Sequence, residues 1–140
     1  MKNNFSKYQV ATAIAILFHA IGLIGILFFD RSFFIQSTAM NLLLMFGLLI
    51  YTQDSPRYHF WLFMVLCIVV GIGIEIIGTQ TGYLFGDYRY GTVLGPSVAA
   101  VPLIIGVNWF IIIYCSGISI HTILSGMIDR LQAHSGGPKQ

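Results

Sequence analysis

Charge is what this sequence has least of. Only 9% of its 140 residues are Asp, Glu, Lys or Arg, against about 25% in an ordinary soluble domain. A soluble fold of this length has too much surface to leave so few charges outside. The net charge of +2 argues against a nucleic-acid partner. The basic residues do not cluster, which excludes a polybasic lipid-binding patch. Cysteine is also scarce: Cys67 and Cys115 both fall inside apolar runs, where Cys behaves as a small buried hydrophobe. No CxxC or HExxH spacing occurs, so no metal site is indicated.

What remains is apolar. Hydrophobic residues make up 56% of the chain, and the mean hydropathy is +0.82. Long apolar runs covered by lipid account for both values. The expected fold is all-α: an integral membrane protein of four transmembrane helices with almost no soluble mass. The spans are placed at 8–29, 33–51, 58–78 and 96–120, within one helical domain over 1–132. Residues 133–140 read as a disordered tail. Each span is long enough for a hydrocarbon core of about 30 Å.

The first run, Val10 to Phe29, follows Lys2 and Lys7. It exceeds the roughly 7–15 residues of a signal-peptide core, and no A-x-A site follows, so it reads as a retained span. Asp30-Arg31 and the Thr52–Arg57 turn connect the first three spans, with Pro56 breaking the helix. Basic residues bias towards one side. An N-terminus in the cytoplasm puts Lys2, Lys7, Arg57, Arg130 and Lys139 inside and Arg31 and Arg89 outside. The inner membrane of a prokaryotic cell is the expected location. Beyond the fourth span, Ile123, Leu124, Met127, Ile128 and Leu131 recur at helical spacing, which continues that helix along or out of the membrane surface.

Polar residues inside spans are costly and draw attention first. They are His19, Asn41, Glu75 and Asn108. His19, Asn41 and Asn108 fall near span midpoints and would form one hydrogen-bonded layer; as packing contacts they contribute about 1 kcal/mol each. Glu75 lies roughly 10 Å towards the outer face. A carboxyl there is paired, hydrated, facing a cavity, or held protonated. Arg89 is one potential partner, for Glu75 or for Asp87.

Gly71, Gly78 and Gly82 share a helix face with Glu75, and Gly78, Gly82 and Gly86 have GxxxGxxxG spacing. Small residues allow close approach of a helix or a flat ligand; if the helix ends near Gly78, the later glycines serve the loop. That loop, Thr79 to Gly95, carries Tyr83, Phe85, Asp87, Tyr88, Arg89 and Tyr90. It is either an aromatic belt or a re-entrant cap over a cavity. Pro96 suits a helix start, and Pro102 is expected to kink the fourth span.

The series Glu75-x-x-Gly78-x-x-x-Gly82-x-x-Phe85-Gly86-x-Tyr88-x-Tyr90, then Leu94-Gly95, Val101-Pro102 and Trp109, resembles the carotenoid biosynthesis membrane-protein family. That family includes carotenoid 1,2-hydratases such as bisanhydrobacterioruberin hydratase. The resemblance is tightest over 71–114. It implies addition of water across the terminal C1=C2 bond of a carotenoid ψ-end, with a carotenoid or other polyisoprenoid as substrate, membrane lipid as surroundings and no cofactor. Glu75 would donate the proton, and Asp87 would orient water or act as base. Gly78, Gly82, Tyr83, Phe85, Tyr88, Tyr90 and Trp109 would bind the substrate, with His19, Asn41, Arg89 and Asn108 in support. The resemblance also leads one to expect further spans after the fourth. The chain reads as a short or truncated member, with a homo-oligomer or a partner carrying the missing half as companion. The alternatives are a non-catalytic carotenoid-binding or scaffold subunit, and a small transporter subunit.

Overall fold

The computed structural model describes residues 6–135, with side chains through Gln132. Helix α1 spans Lys7–Phe28. Ser6 starts it: its hydroxyl accepts from the Gln9 amide, and the Gln9 side chain accepts from the Ser6 amide at 2.9 Å, a reciprocal capping box. Asp30 then does more than interrupt the apolar sequence. Its carboxylate accepts from the Phe33 amide at 3.1 Å and caps the short helix α2, Arg31–Gln36. Helix α3, Thr38–Thr52, follows after Ser37, whose hydroxyl donates back to the Phe33 carbonyl at 2.9 Å.

The second apolar segment is therefore two helices rather than one span over 33–51. The 15 residues of α3 reach roughly 22 Å, short of a hydrocarbon core of about 30 Å. Among the described residues, three helices are long and apolar enough to cross a membrane. They are α1, α4 at Tyr58–Thr81, and α5, which runs Ile104–Ser135. The chain is an all-α membrane protein. Residues 133–135, assigned above to a disordered tail, continue α5; 136–140 lie outside the described residues.

Helix α4 runs one turn past Gly78. It stops at Gly82, whose left-handed backbone (φ 69°) lets its amide reach the Gly78 carbonyl at 2.9 Å. This is a C-cap conformation that glycine adopts without steric cost. Gly82 thus ends the helix instead of extending its glycine face.

The fourth span does not begin at Pro96. Strands β1 (Ser97–Val98) and β2 (Val101–Pro102) form a small antiparallel hairpin, pairing Ser97 with Pro102 and Val98 with Val101. Ala99 and Ala100 turn it with φ of 49° and 66°, the positive values a tight hairpin turn needs at both central positions. Pro102 closes the hairpin, and α5 starts two residues later. Pro102 therefore precedes the helix and does not kink it. Val101 and Pro102 are fully buried, so this strand of the hairpin packs into the protein while Ser97–Val98 stays exposed.

The long helices form a row. Helix α5 packs on α4 and α3, and α3 packs on α1. The core centres on Leu49, Cys67 and Phe110. Phe110 takes Phe46 and Phe60 edge-on, with ring centroids 6.0 and 5.9 Å away. At one end of the row, Asp54 in the α3–α4 turn receives the Lys7 ammonium and the Tyr8 hydroxyl of α1. Those two donors, Lys7 first, hold the Asp54 carboxyl below its usual range.

Candidate functional site

The buried face of α4 consists of Cys67, Gly71, Glu75 and Gly78. Steps of four, four and three put these residues on one helical stripe, and the stripe faces α5. Its two glycines are seats for aromatic rings. A Cβ on Gly71 would lie 2.6 Å from Cβ and Cγ of Trp109, and a Cβ on Gly78 would lie 2.7 Å from Cδ2 of Phe85. Gly106 does the same from the α5 side, where a Cβ would meet Ile68 at 2.8 Å.

Of the seated rings, Trp109 donates to the residue between the two glycines, and Phe85 packs against the loop that brings two more donors. Glu75 is 8% exposed. Its Oε1 accepts from Trp109 Nε1 at 3.1 Å. Its Oε2 accepts from the Tyr90 hydroxyl at 3.0 Å and from the Tyr88 hydroxyl. Phe85 meets Tyr88 edge-on at 6.4 Å between centroids, and Tyr88 meets Tyr90 at 5.4 Å. Aromatic stacking thus orders the loop that carries both hydroxyls. Burial, followed by the hydrogen bond to Glu75, pushes the Tyr88 phenol above its ordinary value. Burial, then contact with Tyr88 and Glu75, pushes Tyr90 up as well.

Six of the residues named above as site candidates therefore come together: Glu75, Gly78, Phe85, Tyr88, Tyr90 and Trp109, with Phe85 packed on Gly78. Others stand apart. Asp87 and Arg89 are exposed. Among the described residues neither makes an ion pair, with the other or with Glu75, and the ion pair found is Lys7–Asp54. Tyr83 is 92% exposed. His19, Asn41 and Asn108 share no hydrogen bond: His19 Nδ1 bonds the Ala15 carbonyl at 2.8 Å, and Asn41 Oδ1 is buried without a partner. No group of three or more His, Cys, Asp or Glu comes together among the described residues.

One apolar groove borders this arrangement and another lies away from it. The first, of about 330 Å³, lies between α4 and α5 and is lined by Phe63, Cys67, Val70, Ile74, Trp109 and Ile113 among others. Trp109 is both a wall of this groove and a donor to Glu75. Phe63, Val70 and Ile113 were not singled out in the sequence, because nothing distinguishes a groove-lining apolar side chain from a lipid-facing one. The second groove, of about 950 Å³, separates α1 from α2 and α3 and includes His19 and Asn41.

These features define a helical membrane protein with a carboxyl site buried between two neighbouring helices and capped by an aromatic loop. The chain belongs to the carotenoid biosynthesis protein family, whose family model matches residues 33–134. Its role is therefore in carotenoid biosynthesis. No curated protein and no solved structure matches it.

Proposed function

We propose that the chain adds water across the terminal C1=C2 double bond of a carotenoid ψ-end, without a cofactor, using Glu75 as proton donor. One observation carries this: a buried carboxyl at membrane depth, held by one indole and two phenols. An indole N–H only donates, whereas a phenol donates and accepts. Oε1 is thus an acceptor in either protonation state. A proton on the carboxyl sits on Oε2, between two hydroxyls that can relay it.

The alkene π pair takes that proton at C2, forming a C–H bond and leaving a tertiary cation at C1. Water attacks C1, its lone pair forming the C–O bond. The oxonium then loses a proton to a base, for which Asp87 is the proposed residue and which passes it on to solvent; Oε2 regains a proton from solvent through Tyr88 or Tyr90, the phenol being reprotonated as it donates. The sum is alkene plus water giving a tertiary alcohol. Phe85, Tyr88, Tyr90 and Trp109 offer aromatic faces to the cation. The α4–α5 groove, with Trp109 in its wall, is the proposed approach for the polyene. The N-terminus is proposed to lie in the cytoplasm of a prokaryotic cell.

The test is expression in cells that make lycopene or γ-carotene, with pigments identified by mass spectrometry. A hydroxylated product is expected, and Glu75→Gln should abolish it. A well-expressed protein that yields no such product sinks the hydratase assignment, and activity retained in Glu75→Gln sinks the donor role.

A second reading, a non-catalytic carotenoid-binding subunit, is favoured by one feature. Trp109, and not Glu75, lines the α4–α5 groove, so the carboxyl would act as a lock between loop and helices. Unmodified carotenoid copurifying without turnover would distinguish it.

A further inference from the structure

The α1–α3 groove has features that the Glu75 site does not explain. Helices α1 and α3 are antiparallel neighbours pinned at one end by Lys7–Asp54. His19 on α1 and Asn41 on α3 both lie roughly 18–20 Å from that pair, at the helical rise. The two polar side chains are therefore level, on facing helices, in the wall of one largely apolar groove that Ser37 and Thr38 also line. A volume of about 950 Å³ is at the upper end for a small-molecule site.

Their hydrogen-bonding capacity is unspent. The Ala15 carbonyl can only accept, so His19 Nδ1, which bonds it, carries the hydrogen. In the neutral ring Nε2 is then left as an acceptor. Asn41 Oδ1 is closed off from solvent and from every donor, a costly state for an amide inside a membrane. The end of Asn41 left to meet a ligand is its N–H2, a donor. A hydrocarbon satisfies neither residue, and an ether or ketone supplies no donor. A hydroxyl accepts from the Asn41 N–H2 while donating to His19 Nε2, so it serves both residues at once.

We propose that this groove binds the hydroxyl end of a long apolar chain, of the isoprenoid-alcohol class, with Asn41 and His19 sharing the hydroxyl. The site is separate from Glu75, because α5 and α3 stand between α4 and α1. It does not depend on the hydration chemistry.

The test uses the full chain in nanodiscs, with geranylgeraniol as probe and its methyl ether as the matched ligand lacking the donor. The alcohol is expected to bind at least tenfold more tightly than the ether. Asn41→Leu and His19→Leu should each reduce the alcohol to within about threefold of the ether, while Gly73→Ala, on α4 with nothing within 4 Å of the added Cβ, changes neither. Equal affinity for alcohol and ether on the unaltered chain overturns the proposal, whether or not the variants fold. So does unchanged alcohol binding in Asn41→Leu. Competition by dioleoylglycerol as strong as that by geranylgeraniol overturns the isoprenoid assignment in favour of a membrane-lipid hydroxyl. A dimer that Asn41→Leu dissociates, with no preference for the alcohol, assigns the groove to a second copy of the chain instead.

Discussion

Replacing Gly71 with alanine tests how the Glu75 cluster is held together. The added Cβ would lie 2.6 Å from Cβ and Cγ of Trp109. Carbon atoms rest at about 3.5–4.0 Å, so the indole or its helix moves by roughly 1 Å. Overpacking of this kind costs about 1–3 kcal/mol. The same movement takes the 3.1 Å Trp109–Glu75 bond out of hydrogen-bonding range, which adds about 1–3 kcal/mol for a buried partner left unpaired. Gly73 is the control, since nothing lies within 4 Å of a Cβ there. Alanine gains about 1 kcal/mol over glycine in a helix, and both positions lie inside α4, so this gain cancels in the comparison. Gly71→Ala should therefore be less stable than Gly73→Ala by about 2–6 kcal/mol. The assay is reversible unfolding in mixed micelles followed by tryptophan fluorescence, for which the sequence provides Trp61 and Trp109. A difference within about 0.5 kcal/mol, the usual scatter of neutral substitutions, would refute the seating of Trp109 on Gly71.

Ala100 adopts φ of 66°, so Ala100→Gly should stabilise the protein by about 1 kcal/mol, read in the same unfolding assay. Tyr88 and Tyr90 are both held above their ordinary values. The folded state thus keeps protons that the unfolded chain releases, and their contribution is full below about pH 10 and falls as pH rises beyond it. The Tyr88→Phe, Tyr90→Phe double variant should show a shallower loss of thermal stability between about pH 10 and 12 than the unaltered chain. Asp54 has the opposite sign: its contribution is present above about pH 4 and is lost as pH falls through its depressed folded value. Acidification should increase hydrogen exchange at the start of α1, and Asp54→Asn should reproduce that effect at neutral pH.

The parts of this fold that follow from apolar periodicity were legible in the sequence. The long apolar runs locate α1, α4 and α5, and the offsets of Gly71 and Gly78 from Glu75 identify the buried face of α4. The partners of Glu75 were less legible. Charge complementarity points to Arg89, yet the carboxyl takes neutral donors. Tyr and Trp carry a polar tip on an apolar body and reach an interhelical site without desolvating a second charge. The break at Ser37 is marked only by the short polar triplet Gln36-Ser37-Thr38, which a span-length hydropathy window averages out. The hairpin is hidden for another reason. Ala99-Ala100 is not a turn signal, and only tertiary burial of Val101 and Pro102 sustains two alanines at positive φ. Pro102 is informative in retrospect: proline inside a span reads equally as a kink or as the end of something that is not a helix.

The hairpin also sets an order of assembly. A lone helix enters a bilayer with its backbone hydrogen bonds already made, but a two-residue ribbon does not. Val101 and Pro102 therefore reach their buried position only after α4 and α5 have inserted and met. Since Trp109 lies on α5 and Tyr88 and Tyr90 on the loop before the hairpin, the donors around Glu75 are gathered by that same late step. Insertion and completion of the site are then separate events, and a nascent chain already spanning the membrane would still hold an uncapped carboxyl.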